Sequence, residues 1–84
     1  MVQVHGEIDV AVAEWFSSEL SRHVAGMAPP VRLDLRGVSF LDSSGLAVLV
    51  AVNRTTPLQI GEASDVARQV IELSGLAELL HLEP

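Results

Sequence analysis

The chain has 84 residues, enough for one small domain, and we predict a single domain over residues 1–84. It contains no cysteine, which excludes disulfide bonds and thiolate metal sites, and its formal net charge of −6, with five scattered arginines and no lysine, argues against nucleic-acid binding. The N-terminus has no basic, apolar leader and no apolar run approaches the ~20 residues that span a bilayer, so we expect a cytoplasmic protein without direct membrane insertion.

The first third of the chain predicts a strand followed by a helix. Val2 and Val4 alternate with polar residues up to Gly6, which is the pattern of a short strand. Apolar residues then recur at helical spacing until Gly26 and Pro29 end the helix. We expect His23 to be a core or boundary residue, and Trp15, at the edge of the inner face, to cover the core. The side chains expected on the inner face are Val12, Phe16, Leu20, His23, Val24 and Met27.

The middle of the chain predicts a second strand and a second helix. Val31, Leu33 and Leu35 alternate with charged residues, and the strand continues unevenly through Phe40. The segment 45–53 is apolar on every side and rich in valine, so periodicity alone does not separate strand from helix. The Asp-Ser-Ser sequence that precedes it favours a helix start, and its all-round apolarity predicts burial.

The last third predicts a short strand over 58–60 and a helix that Ser64 can cap. Val66, Val70 and Leu73 are the side chains expected to face inward, and an apolar closing segment follows over 76–82. The order strand, helix, strand, helix, strand, helix predicts an α/β fold in which helices pack on a single layer of mostly parallel sheet.

The start of the second predicted helix carries the most informative polar residues. Unpaired N–H groups and the helix dipole at such a position favour both a capping side chain and a phosphate. Taken alone, Ser43 and Ser44 are best explained as helix caps, although a modification site has the same geometry. No Gly-x-Ser-x-Gly sequence, phosphate-binding loop or metal-ligand spacing is present, so we expect no catalytic residue, no metal and no cofactor.

Four sequence blocks in order resemble the STAS domain, and more narrowly the anti-sigma factor antagonists of bacteria. The most specific block is Val38–Leu46, which contains Asp-Ser-Ser-Gly, and the others are Gly6–Asp9 (Gly-Glu-Ile-Asp), Leu33–Leu35 and Leu73–Leu76 (Leu-Ser-Gly-Leu). Together they extend over nearly the whole chain. The resemblance implies a STAS-like fold and a non-enzymatic regulator that works by binding another protein.

The resemblance also implies a phosphorylation cycle. The antagonist binds an anti-sigma factor that is itself a serine kinase, and phosphorylation then releases the antagonist. The matching acceptor is Ser43, with Ser44 as second choice, and a phosphatase acting on phospho-Ser43 would restore binding. The residues that the resemblance places in the partner surface are Glu7, Asp9, Asp42, Ser43, Ser44 and Gly45.

Two alternatives and two departures from the family pattern accompany this interpretation. The same domain also serves as a regulatory or assembly subunit of transport systems, such as a lipid-transport ATPase complex or an anion transporter, and as a scaffold in stress-sensing complexes. The family usually has a further strand before Gly6, so the N-terminus is shortened here, and we expect an exposed sheet edge open to self-association. Val12 replaces the threonine that often caps the first helix.

Overall fold

Three strands and three helices alternate along the chain in the computed structural model, which describes residues 1–84. This order confirms the α/β class that the sequence predicts. It also shows that the ambiguous apolar segment after Asp42 is helical. The elements are β1 (Val2–Ile8), α1 (Ala13–Val24), β2 (Val31–Leu41), α2 (Ser43–Thr55), β3 (Leu58–Ala63) and α3 (Asp65–Leu73).

The strands form one parallel sheet in the order β1-β2-β3, so α1 and α2 are the crossovers between neighbouring strands. Right-handed crossovers place both helices on the same face, and α1 and α2 contact each other there. The alternation of β2 agrees with this arrangement. Leu33 and Leu35 are buried beneath the helices, whereas Arg32 and Arg36 lie exposed on the opposite, open face of the sheet.

The core is almost entirely aliphatic, as the composition predicts. It comprises 19 buried residues, of which only Phe16 is aromatic. The second helix is not buried on every side, which corrects the expectation from its all-round apolarity. Leu46, Leu49 and Val52 are buried, but Ala47 and Ala51 are exposed because no element packs against that side of α2.

The rotation of α3 differs from the predicted one. Ala67 and Ile71 are its buried residues, whereas Val66 is 41% and Leu73 is 80% exposed. The reason lies in the cap, because the Ser64 hydroxyl donates to the Val38 carbonyl at 2.6 Å and accepts from the Ala67 N–H at 3.1 Å. These two bonds hold the first turn with Ala67 against the sheet. The predicted inner face of Val66, Val70 and Leu73 is therefore wrong, with only Val70 partly buried.

Most of the predicted inner face of α1 is confirmed, but the positions of Met27, His23 and Trp15 differ from the prediction. Phe16, Leu20 and Val24 are buried, and Val12 makes no side-chain capping hydrogen bond. The helix ends at Val24, so Met27 lies outside it and is exposed. Exposed side chains also include His23 and Trp15, the latter at 63%, because α1 overhangs the edge of the sheet beside β1 rather than its centre.

The segment after α3 closes the outer edge of β3. The Ile60 N–H donates to the Leu80 carbonyl at 3.1 Å, and the Glu83 N–H donates to the Ile60 carbonyl at 3.0 Å. Leu80 is fully buried, and the Glu83 carboxylate accepts two hydrogen bonds from the Arg32 guanidinium. The predicted apolar closing segment therefore contributes both a core side chain and a cover for an edge strand.

One carboxylate on the open face of the sheet is nearly buried. Asp34 is 5% exposed, and it accepts hydrogen bonds from the Arg36 backbone N–H at 2.9 Å and from the Arg36 Nη2 at 2.7 Å. The hydrogen bonds from Arg36 hold the pKa of Asp34 below its ordinary value. Arg36 also reaches the Glu62 carboxylate at 3.1 Å, so this ion pair joins β2 to β3.

We predict that the Asp34 carboxylate makes part of the stability of the protein dependent on pH. The pKa of Asp34 is lower in the folded than in the unfolded chain, so the ionised carboxylate stabilises the folded state. This contribution to the free energy of unfolding is fully present above the unfolded pKa of about 3.9 and is lost as pH falls through the folded pKa. Asp34→Asn should lower the melting temperature at neutral pH and flatten its decline between about pH 5 and pH 2, as measured by thermal unfolding. Glu72→Gln, at an exposed position of α3, is the control, and an unchanged acid limb in Asp34→Asn would contradict the prediction.

Candidate functional site

The start of α2 is capped by an aspartate rather than by a serine. Asp42 has extended backbone angles (φ −115°, ψ −173°), and its Oδ1 accepts from the Ser44 N–H at 2.9 Å and the Gly45 N–H at 3.2 Å. The expectation that Ser43 and Ser44 are the caps is therefore wrong. Both serines already lie inside the helix, beyond the N-cap position from which a side chain reaches forward to the N–H groups of the first turn.

Ser43 is the first residue of α2 and is exposed, whereas Ser44 is only partly exposed. Because Asp42 satisfies the N–H groups, capping places no demand on the Ser43 hydroxyl. The helix contains no acidic residue in its first turn, so Asp42 is the nearest negative charge along the chain. The result is a free hydroxyl at the positive end of a helix, next to one carboxylate.

The end of β1 lies directly beside the start of α2. The Asp42 N–H donates to the Ile8 carbonyl at 3.3 Å, and Ile8 pairs with Leu41 in the sheet. The turn that follows is closed by Asp9, whose Oδ1 accepts from the Ala11 N–H at 3.0 Å. The sheet thus brings two segments that are far apart in sequence, Gly6–Asp9 and the Asp-Ser-Ser-Gly block, to the same end, where the parallel strands β1 and β2 terminate.

The six residues predicted for the partner surface do not all have the same role in this arrangement. Asp42, Ser44 and Gly45 are joined by the cap, and Asp9 closes the adjacent turn. Glu7 is exposed and lies opposite Phe40 in the strand register. Ser43 and Glu7 are the members whose side chains are most open to solvent, so they are the ones most accessible to another protein.

Gly45 is buried at the closest approach between α2 and β1. A Cβ atom there would lie 2.6 Å from Leu41 Cδ1, 2.8 Å from Ile8 Cγ2 and 3.2 Å from the Ile8 carbonyl oxygen. The first two separations are shorter than real Cβ atoms show, and the third is tighter than most real Cβ contacts. The glycine that the resemblance associates with close backbone approach is therefore required within the chain itself, where it seats the site against β1.

An apolar groove of about 430 Å³ extends from Ser43 along the outer side of α2. Sequence reasoning missed it because a helix that is apolar all round looks fully buried. The available signal was the small size of Ala47 and Ala51, which leaves that side of the helix low and open. The groove is lined by Ser43, Leu46, Ala47, Val50, Ala51, Arg54 and Leu76.

The structure contains neither a candidate metal site nor a candidate membrane span. No three His, Asp or Glu side chains lie close enough together to hold a metal ion. None of the three helices combines the length and the apolar character needed to cross a membrane. The features near Ser43 are a hydroxyl, nearby carboxylates and an apolar groove.

Comparison with known proteins identifies one matching family model. The model described as "Mlab, STAS domain" matches residues 1–82, which is nearly the whole chain. No curated protein matches the chain significantly. The match includes the strands, helices and closing segment described above.

We predict that Gly45→Ala destabilises the protein, although alanine is the better helix former. Helix propensity alone would favour alanine by about 1 kcal/mol, whereas crowding against Ile8 and Leu41 should reverse the sign and lower the free energy of unfolding by about 1–3 kcal/mol. Urea denaturation measures the difference. A stabilised Gly45→Ala variant would show that α2 and β1 are not in close contact at this position.

We also predict that Asp42→Ala lowers the free energy of unfolding by about 1 kcal/mol, because two N–H groups of α2 lose their acceptor. Asp42→Asn keeps an oxygen acceptor at the same position and should lose much less, so it serves as the matched control. Thermal or urea unfolding of both variants provides the measurement. Equal losses in the two variants would mean that charge, rather than capping, is what Asp42 supplies.

Proposed function

This chain belongs to the STAS domain family, and we propose that it is an anti-sigma factor antagonist that acts in the cytoplasm as a non-enzymatic phospho-switch. In this proposal it binds an anti-sigma factor serine kinase, is released by phosphorylation of Ser43, and is restored by a phosphatase. The observation that carries the proposal is the exposed Ser43 hydroxyl at the first position of α2, left free by the Asp42 cap.

Phosphorylation of Ser43 would change the charge of this surface without requiring the domain to unfold. A phosphoserine carries about −1.5 to −2 charges at neutral pH. The positive end of α2 favours that charge, while the Asp42 carboxylate beside it repels it. Because Ser43 is exposed and its hydroxyl is not needed as a cap, the added group would project toward the partner rather than into the core.

The surroundings of Ser43 support a partner with matching chemistry. Acidic residues lie at the same end of the sheet as Ser43, with Asp42 at the helix start and Asp9 in the adjacent turn. An apolar groove leads away from Ser43 along α2 as far as Arg54. We propose that the kinase places basic side chains against the acidic residues Glu7, Asp9 and Asp42, and apolar side chains in the groove. A dianion on Ser43 would then disrupt the closely packed centre of that interface.

A second candidate is a regulatory or assembly subunit of a transport system, in which the same surface binds without a phosphorylation cycle. The observation that favours it is that the matching family model is described as "Mlab, STAS domain". The two candidates differ in the chemistry expected at Ser43 and in the class of protein that binds.

We predict that Ser43 is phosphorylated by a serine kinase present in extract of the cell from which the chain derives. The purified protein is incubated with this extract and ATP, and the phosphate is mapped by mass spectrometry. Ser43→Ala should abolish the modification, whereas the matched variant Ser44→Ala should retain it. A complex that forms without phosphate on either serine would overturn the switch and favour the transport subunit.

We further predict that charge at position 43 weakens binding of the kinase. Ser43→Asp should bind at least about tenfold more weakly than Ser43→Ala, and phospho-Ser43 about 10²-fold more weakly, because like charge and desolvation oppose the contact. Isothermal titration calorimetry measures these affinities, with Ser44→Asp and Ser44→Ala as the control pair. Equal affinities of Ser43→Asp and Ser43→Ala would rule out a charge switch.

A further inference from the structure

The outer side of α2 carries a stripe of residues that the rest of the domain leaves uncovered. The exposed and half-buried residues on this side recur at spacings of four, three and four, which is the spacing of a coiled-coil seam. They are Ser43, Ala47, Val50 and Arg54. The groove of about 430 Å³ follows this stripe, and Leu46, Ala51 and Leu76 complete its lining. The stripe extends over about three turns of helix.

This stripe is complementary to itself when it is read in the opposite direction. Reversed pairing sets Ala47 against Val50, so a small side chain faces a larger one at both central positions. It sets Ser43 against Arg54 at both ends, whereas pairing in the same direction would set Arg54 against Arg54. Reversed pairing also makes the two helix dipoles antiparallel, which is the favourable orientation. Size and charge therefore favour the same direction of pairing.

The charge at the far end of the stripe has no partner within the chain. Arg54 is exposed in the last turn of α2 and takes part in none of the salt bridges of the protein. The other end of the helix has the opposite charge, since Asp42 directly precedes Ser43 and is half-buried. A second α2 in reversed orientation would bring each basic end to an acidic end, so charge complementarity favours a second copy of the chain over an unrelated helix.

We propose that a second copy of this chain docks in the groove, with the two α2 helices packed antiparallel about a two-fold axis midway between Ala47 and Val50. Ala47 of each copy lies opposite Val50 of the other, and Ser43 of each copy lies opposite Arg54 of the other. The stripe thus forms four layers of side chains in which knobs of one helix fill holes of the other. The two small Ala47 side chains allow the helix backbones to approach closely at the centre.

The dimer is expected to be weak and to compete with other uses of the same surface. Two helices in contact over about three turns form an interface at the small end of specific contacts, so we expect a dissociation constant above about 10 μM. The second copy covers Ser43 and the groove, and a dimeric chain therefore cannot offer them to another protein. This inference does not rest on the proposed function, since it requires neither a kinase nor a phosphate.

Sedimentation equilibrium of charge variants tests the proposal. The unmodified chain should shift from 9.0 kDa toward twice that mass as its concentration rises. Ser43→Asp sets a carboxylate opposite Arg54 at two symmetric positions and should tighten the dimer about three- to tenfold, whereas Arg54→Glu sets like charges at both ends and should weaken it by a similar factor. Ser44→Asp and Arg68→Glu make the same changes of net charge at residues that do not line the groove, so they are the matched controls.

Introduced cysteines test the register, because the chain has no cysteine of its own. Ser43 and Arg54 are about 16 Å apart along α2, so in the antiparallel dimer each residue is far from its own counterpart and close to the other one. A mixture of the Ser43→Cys and Arg54→Cys chains should therefore form a disulfide-linked dimer under mild oxidation, whereas either variant alone should form little. Circular dichroism shows whether both variants keep the fold.

The outcomes separate the proposed dimer from other arrangements. Opposite effects of Ser43→Asp and Arg54→Glu, small effects of the two controls and cross-linking in the mixture alone support the proposal. A protein that stays at 9.0 kDa up to millimolar concentration overturns it. A dimer in which Ser43→Asp and Ser44→Asp have equal effects, or in which each cysteine variant cross-links with itself, also overturns it, because the contact would then have another direction or lie on another face.

Discussion

The close contact between Gly45 and the end of β1 is the constraint on which the rest of the site depends. With no Cβ at position 45, the first turn of α2 lies against Ile8 and Leu41, and the Asp42 N–H reaches the Ile8 carbonyl. That contact holds the turn after β1 beside the start of α2. The parallel pairing of β1 with β2 brings the Ser43 hydroxyl and the acidic turn to the same end of the sheet, and the contact at Gly45 sets how closely α2 approaches that turn.

Capping and the proposed modification involve different residues at the start of α2, Asp42 for the cap and Ser43 for the phosphate. Asp42 supplies the acceptor that the helix needs, so the neighbouring serine can change its chemical state without removing a cap. A serine that was itself the cap would couple every phosphorylation event to the stability of α2. Separating the two roles by one residue lets the surface change charge while the fold keeps its hydrogen bonds.

The sequence predicted those features that depend on local patterns and missed those that depend on tertiary contacts. The alternation of Leu33 and Leu35 with charged residues identified β2, and the Asp-Ser-Ser start identified α2 as a helix. The rotation of α3 was not predictable in this way, because it depends on a hydrogen bond from Ser64 to Val38, which is distant in sequence. Nor could spacing show which of three adjacent polar residues is the cap, since that depends on where the helix begins. The exposure of Trp15 and the groove beside Ser43 likewise follow from how the helices overhang the sheet.

The closing segment has a consequence for assembly in general. A sheet with two open edges can add copies at both sides and grow without limit, whereas a sheet with one open edge admits a single neighbour and then stops. By pairing with Ile60 and burying Leu80, the closing segment occupies the outer edge of β3. It therefore acts as a terminator that keeps further strands from adding to this side of a small, aliphatic, parallel sheet.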